Sequence, residues 1–223
     1  MINLLQIDST HTAAAASSGI SLFDLLKLGG WVMIPLMLLL VVTIFVFFER
    51  LIAIRKASNI DSNFMNIIRD HIVTGNLTAA RSFAKNTNNP VARIIDKGIQ
   101  RIGKPIENIE RSMENVGKLE IYNLERNLSI LSLSAGISPL LGFLGTIIGM
   151  FQLFYSLATG GDFTIQTMAN GIYTKVITSA TGLIIGLLAL LAHNYLTTQV
   201  DKTAYKMEAS SAEFLDILQE PTR

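Results

Sequence analysis

Thr146, Thr174, Thr178, Ser179 and Thr181 bring hydroxyl groups into stretches that are otherwise almost wholly apolar. Thr174, Thr178 and Thr181 follow i, i+4, i+7 spacing and so share one face of a helix. A hydroxyl offers one donor and two acceptor sites but does not titrate near neutral pH. Two readings stand open for such a group. Each hydroxyl can bond back to its own helix and serve packing alone, or the cluster can line a polar path on facing helices. Lys175 is the one ionised residue of its apolar stretch. It either snorkels to lipid headgroups or stands as a cation at the mouth of that path or at an interface. Ser138 and Gly142, Gly145 and Gly149, and Gly182 and Gly186 are each four apart, as are Ser132 and Gly136. In lipid that spacing lets helix backbones approach closely, so these residues read as helix packing. Pro139 lies among them and loosens its helix, the freed carbonyl being satisfied by neighbours.

The missing groups also carry information. No Asp or Glu stands deep in any of these stretches, Glu49 and Asp162 being at their ends. A proton path through lipid needs an embedded titratable group. If this chain conducts protons, a second chain must supply the carboxylate. His193 has neither a histidine nor a carboxylate close in sequence, and cysteine is absent, so the reading is no metal site, no cofactor and no disulfide framework. HExxH, paired embedded aspartates and a serine–histidine arrangement on the spans are all lacking, and the chain does not read as an enzyme.

The elements that must position these residues follow from the charge distribution. Of 18 Lys and Arg, 13 fall between Arg50 and Arg126. Uncharged gaps run over 29–48, 127–161 and 176–200. A helix rises about 1.5 Å per residue, so roughly 20 apolar residues cross a hydrocarbon core of about 30 Å. The fold class is therefore all-α, an integral membrane protein with three transmembrane helices. The chain divides into an N-terminal segment (1–30), span one (31–48), a helical loop (49–126), span two (127–158), a short turn (159–164), span three (165–196) and a C-terminal helix (197–223). The basic loop and tail belong on the cytoplasmic side, and the N-terminus and the turn on the other. The basic flanks orient the chain and are not read as a nucleic-acid surface. Residues 20–28 read either as an amphipathic helix on the outer surface or as an outward extension of span one. The first twenty residues lack a basic n-region and do not read as a cleavable signal.

Within the loop, Asp61 is placed to cap a helix through His71, and a second short helix starts at Thr78. Asn88-Asn89-Pro90 and Gly103-Lys104-Pro105 are turn signals. After Pro105 nothing breaks the pattern for over thirty residues, so a helix is expected to run unbroken into span two, more than about 50 Å in all. Glu114 and Lys118 stand four apart on it with the acid first. Span three is likewise expected to continue past Asp201 toward Leu218, so helices two and three extend into the cytoplasm.

The segments SPLLGFLGTIIGMF and GIYTKVITSATGLIIGLLAL, with three spans and a large basic loop, resemble the MotA/TolQ/ExbB proton-channel family, its ExbB-like branch above all. The resemblance implies an oligomeric ring, a pentamer, around a central pore lined by the second and third spans. It implies two copies of an ExbD-like single-span partner with a membrane aspartate inside that pore, and a TonB-like protein carrying the work onward. Thr146 matches the family's pore threonine of span two. Ser179 keeps the hydroxyl of a position that is often threonine. Thr174 departs, standing where relatives often carry glutamate, with Lys175 next. The function implied is a proton-conducting, stator-like subunit of a bacterial inner-membrane motor driven by the proton motive force. TonB-dependent outer-membrane import is the first role, a TolQ-like role in envelope integrity the second. A membrane scaffold that conducts nothing is the alternative from a different class.

Overall fold

The computed structural model describes residues 30–160 and 164–219, apart from the side chains of Thr167, Asn170 and Thr174. Residues 20–28 thus lie outside the described residues, as do residues 161–163 of the 159–164 turn. Seven helices are described: α1 Met33–Ser58, α2 Phe64–Val73, α3 Leu77–Asn86, α4 Pro90–Ile99, α5 Ile106–Glu125, α6 Leu128–Ala158 and α7 Ile165–Gln219. Among the described residues there is no strand. Among the described residues three runs are long and apolar enough to cross a membrane: α1, the run from Ile106 to Ala158, and Gly171–Gln219 within α7. The end of the molecule that holds α2 to α5 is called the loop side, and the α6–α7 turn the hairpin side.

The α7 helix holds 55 residues, roughly 80 Å at the usual rise. Half of it packs along α6 and α1, and the remainder enters the loop bundle. The expected continuation past Asp201 is therefore present. Span one also extends as helix beyond Glu49 and Arg50, reaching Ser58.

One expectation is corrected. The helix after Pro105 does not run unbroken: α5 ends at Glu125 and α6 begins at Leu128. Between them Asn127 takes φ +69°, the left-handed region, which asparagine tolerates better than most residues. The Arg50 Nη1 donates to the Asn123 carbonyl at 3.3 Å while its guanidinium pairs with Glu49. Span one thereby holds the chain at the break. Below it Val46, Ile54, Leu124, Leu128, Leu131, Leu196 and Val200 form one buried cluster.

Short polar side chains set the ends of the loop helices. The Asn76 Oδ1 accepts from the Ala79 N–H and caps α3. Asp61 acts earlier than expected: its carboxylate accepts from Asn63 N at 2.9 Å, in the turn before α2. Asn89 is the buried hub. Its Oδ1 accepts from Val91 N–H, and its Nδ2 donates to the Ala57 and Asn59 carbonyls at 2.9 and 3.1 Å. One amide therefore starts α4 and ends α1, satisfying groups that helix termini leave unpaired. Lys206 on α7 donates to the Ser58 carbonyl and hydroxyl, both at 3.0 Å, a cation placed at a helix C-terminus.

Phe64, Ile68, Ile94, Ile95, Met113 and Phe214 are fully buried at the centre of the loop bundle. Gly98 allows that packing, since a methyl there would lie 2.6 Å from the Phe214 ring and 2.7 Å from the Met113 sulfur. Arg93 grips Glu120 with two N–H···O bonds of 2.6 Å and ties α4 to α5. That hydrogen-bonded carboxylate pushes the Arg93 pKa up, against a smaller opposite effect of burial.

Candidate functional site

The helices α6 and α7 lie antiparallel, and their closest approach is built from the residues singled out above. A methyl on Gly182 would lie 2.5 Å from the Ser138 carbonyl oxygen and 2.8 Å from the Gly142 Cα. A methyl on Gly142 would meet the Gly182 Cα and the Ser179 and Thr178 carbonyls at 3.1 Å. The two backbones thus touch where only hydrogen fits. One turn toward the loop side, Gly186 seats against the Pro139 ring, 2.6 Å from a built methyl, and beside the Ala135 carbonyl. That carbonyl lost its usual donor because proline has no N–H. The helix nonetheless continues through Pro139. Toward the hairpin side, the Gly145 face is filled by the Thr178 methyl, and Gly149 is covered by the aliphatic stem of Lys175. Gly136 differs, with nothing within 4 Å of a methyl built there. The Ser132–Gly136 pair is therefore not a contact inside this subunit.

The hydroxyls divide into three kinds. Ser138 is fully buried and donates to the Ser134 carbonyl at 2.7 Å, and Ser134 donates to Ile130 at 2.8 Å. Thr181, half-buried, donates to the Ile177 carbonyl at 2.9 Å. These three bond back along their own helices. Thr146 is different. Its Oγ1 lies 3.2 Å from the Gly142 carbonyl and 3.2 Å from the Lys175 carbonyl of the opposite helix. Its single hydrogen is shared between the two helices, and its oxygen keeps its acceptor sites. Thr178 is the third kind: it is 1% exposed and its Oγ1 has no hydrogen-bond partner. A buried hydroxyl left unpaired costs about 1–3 kcal/mol.

Thr146, Gly145, Thr178 and Lys175 therefore meet in the hairpin-side half of the paired spans. Ser179 is half-buried on the neighbouring turn. The Thr174 backbone belongs to α7, while its side chain lies outside the described residues. Thr178 faces inward against α6. Thr43 on α1, a lone hydroxyl in an apolar run, was not evident from spacing. It is 3% exposed and its Oγ1 likewise has no partner. His193 was also underrated. Its Nδ1 lies 3.2 Å from the Leu128 carbonyl, and its ring shares a hollow with Glu125 from a different helix. Sequence separation hid that pair.

This seam of small residues, hydroxyls and one lysine between two long antiparallel spans is the region that known proteins share. A profile of the MotA/TolQ/ExbB proton channel family matches residues 86–209, which take in α5, α6 and most of α7. The chain belongs to that family. A biopolymer transport protein ExbB homolog of Methanothermobacter thermautotrophicus is 27% identical over 161 residues, 72% of this chain and 57% of that protein. The biopolymer transport protein exbB1 of Vibrio cholerae is 35% identical over 39% of each chain. The Tol-Pal system protein TolQ of Haemophilus influenzae is 31% identical over 50% of this chain and 47% of its own. The chain spans about half the length of these relatives.

Proposed function

We propose that this chain is the proton-conducting, stator-like subunit of an inner-membrane motor that uses the proton motive force to energise TonB-dependent import across an outer membrane. The observation that carries this reading is Thr146, whose hydroxyl joins α6 to α7 and retains acceptor sites. A protonated carboxylic acid on a partner helix can donate to that oxygen. Rotation of the threonine hydroxyl away from the Gly142 and Lys175 carbonyls would let it donate to the ionised form instead. One side chain thus suits both states of a carboxylate that loads and unloads a proton. Because a charge crossing the membrane gains about 2.3 kcal/mol per 100 mV, such a cycle has a usable driving force.

The chain would act as a ring of identical subunits, a pentamer, with two copies of an ExbD-like single-span protein whose membrane aspartate supplies the missing titratable group. A TonB-like protein would carry the work outward. The loop and α7 tail lie on the cytoplasmic side, as the basic loop requires. Lys175, whose stem covers Gly149, sits at the mouth of the path and adjusts the field around the partner's aspartate, in a chain where Thr174 replaces an acidic residue. The similarity to TolQ relatives favours a second reading, a subunit serving envelope integrity. Gentle purification of the tagged chain from its own membranes, followed by native mass spectrometry, tests both. About five copies carrying two single-span partners with a membrane aspartate is the expected result, and the accompanying outward-reaching protein would separate the roles. An oligomer with no such companion would replace the motor with a scaffold.

A further inference from the structure

On the loop side, an exposed face of α6 and the adjoining edge of α7 border an open hollow of about 790 Å³, ample for a file of water molecules. Its polar lining comes from Glu125, Ser129, Ser132, His193 and Thr197, with Gly136 adding space. It follows one face of α6 from Leu128 to Leu140, roughly 18 Å at the helical rise and more than half of a hydrocarbon core. His193 is half-buried in its wall. A carbonyl can only accept, so the 3.2 Å contact with Leu128 O places the hydrogen on Nδ1. In the neutral ring Nε2 is then an acceptor. Protonation there leaves the Leu128 bond intact, because Nδ1 carries its hydrogen in both states.

We propose that His193 is the loop-side proton-exchange group of the channel, a reading that rests on the proton-conducting function proposed above. A proton delivered down the hollow, from the partner's carboxylic acid or through water, is taken at Nε2 to give the imidazolium. That proton then passes to the Glu125 carboxylate or to water at the mouth, and the ring returns to neutral. Imidazole suits the step because histidine is the side chain that ordinarily titrates between pH 5 and 8. The hydroxyls beside it do not. The charged groups around this end of the spans are Glu125 on α5, Arg126 at the break, the Glu49–Arg50 pair on α1 and Asp201 one turn beyond Thr197 on α7.

The test uses the native complex in liposomes with a set membrane potential, reading proton flux against loop-side pH. His193→Asn keeps an amide N–H close to the Nδ1 position but cannot titrate. It is expected to lower flux roughly a hundredfold, the lower end of what positioned proton transfer contributes, and to flatten the dependence of flux on loop-side pH while leaving the copy number unchanged. Wild-type flux with an unchanged pH profile in this variant would overturn the assignment and leave the channel reading in place. Absence of flux from the wild-type complex would overturn both. If His193→Asn fails to assemble, Glu125→Gln serves in its place. Loss of the carboxylate that receives the proton should lower flux, and unchanged flux would count against the relay.

Discussion

A methyl group added at Gly182 would sit 2.5 Å from the Ser138 carbonyl, whereas one at Gly136 meets nothing within 4 Å. Two glycines of similar appearance in the sequence therefore have opposite tolerance. Gly182→Ala must separate α6 from α7 and should destabilise the subunit by about 1–3 kcal/mol, the usual cost of overpacking. Gly136→Ala should change stability by no more than about 0.5 kcal/mol. Thermal unfolding of the detergent-solubilised variants, followed by fluorescence, measures both. Thr146→Val keeps the shape of the side chain and removes the donor shared by the Gly142 and Lys175 carbonyls. We expect proton-dependent work to fall several-fold while the purified complex keeps its composition. Normal import in cells carrying this variant would remove Thr146 from the mechanism.

Two asparagines act at the level of whole elements, each in its own way. Asn127 is the point where α5 gives way to α6, and its positive φ makes the residue type matter. Asn127→Gly should be close to neutral, whereas Asn127→Val should cost about 1–2 kcal/mol, because a β-branched side chain fits the left-handed region poorly. Proteolytic cleavage near Arg126 is the readout, rising in the valine variant only. Asn89 joins the end of α1 to the start of α4 through three hydrogen bonds from a side chain that is 3% exposed. Asn89→Ala leaves the Ala57 and Asn59 carbonyls unpaired and should cost about 1–3 kcal/mol. Hydrogen exchange would show this as lost protection at Val91 and along the first turn of α4.

Across the whole molecule, α7 is the shared part. It forms half of the paired spans, and its far end places Met207, Phe214 and Ile217 in the core of the loop bundle. The bundle therefore depends on a helix that begins at the hairpin side of the molecule. Phe214→Ala should destabilise the bundle by about 3–5 kcal/mol, as expected for a fully buried aromatic ring. Hydrogen exchange in α2 to α4 should accelerate strongly in that variant while α6 stays protected. Equal loss in α6 would show that the spans and the bundle unfold as one unit. Mechanically, a single helix running from the seam to the bundle gives any turning force a stiff path between them.

The amino-acid sequence by itself determined the three spans, the helical class and the small-residue seam. Hydrocarbon leaves no alternative to helices there, and glycines four apart announce close contact whatever their partner. The turn signals at Asn89-Pro90 and Gly103-Lys104-Pro105 were legible for the same local reason, as was the continuation of α7 past Asp201. The break at Asn127 was not, since every residue around it is compatible with a helix and only the grip of Arg50 and the packing of α1 select the left-handed turn. Nor could spacing decide which hydroxyls bond along their own helix and which reach across. Thr181 and Thr146 look alike in sequence, yet only Thr146 faces a carbonyl of the opposite span. His193 and Glu125 stand 68 positions apart and line one hollow only because α7 runs back along α6. Local chemistry is written in neighbouring residues, while pairing between distant ones is decided by the packing that brings their helices together.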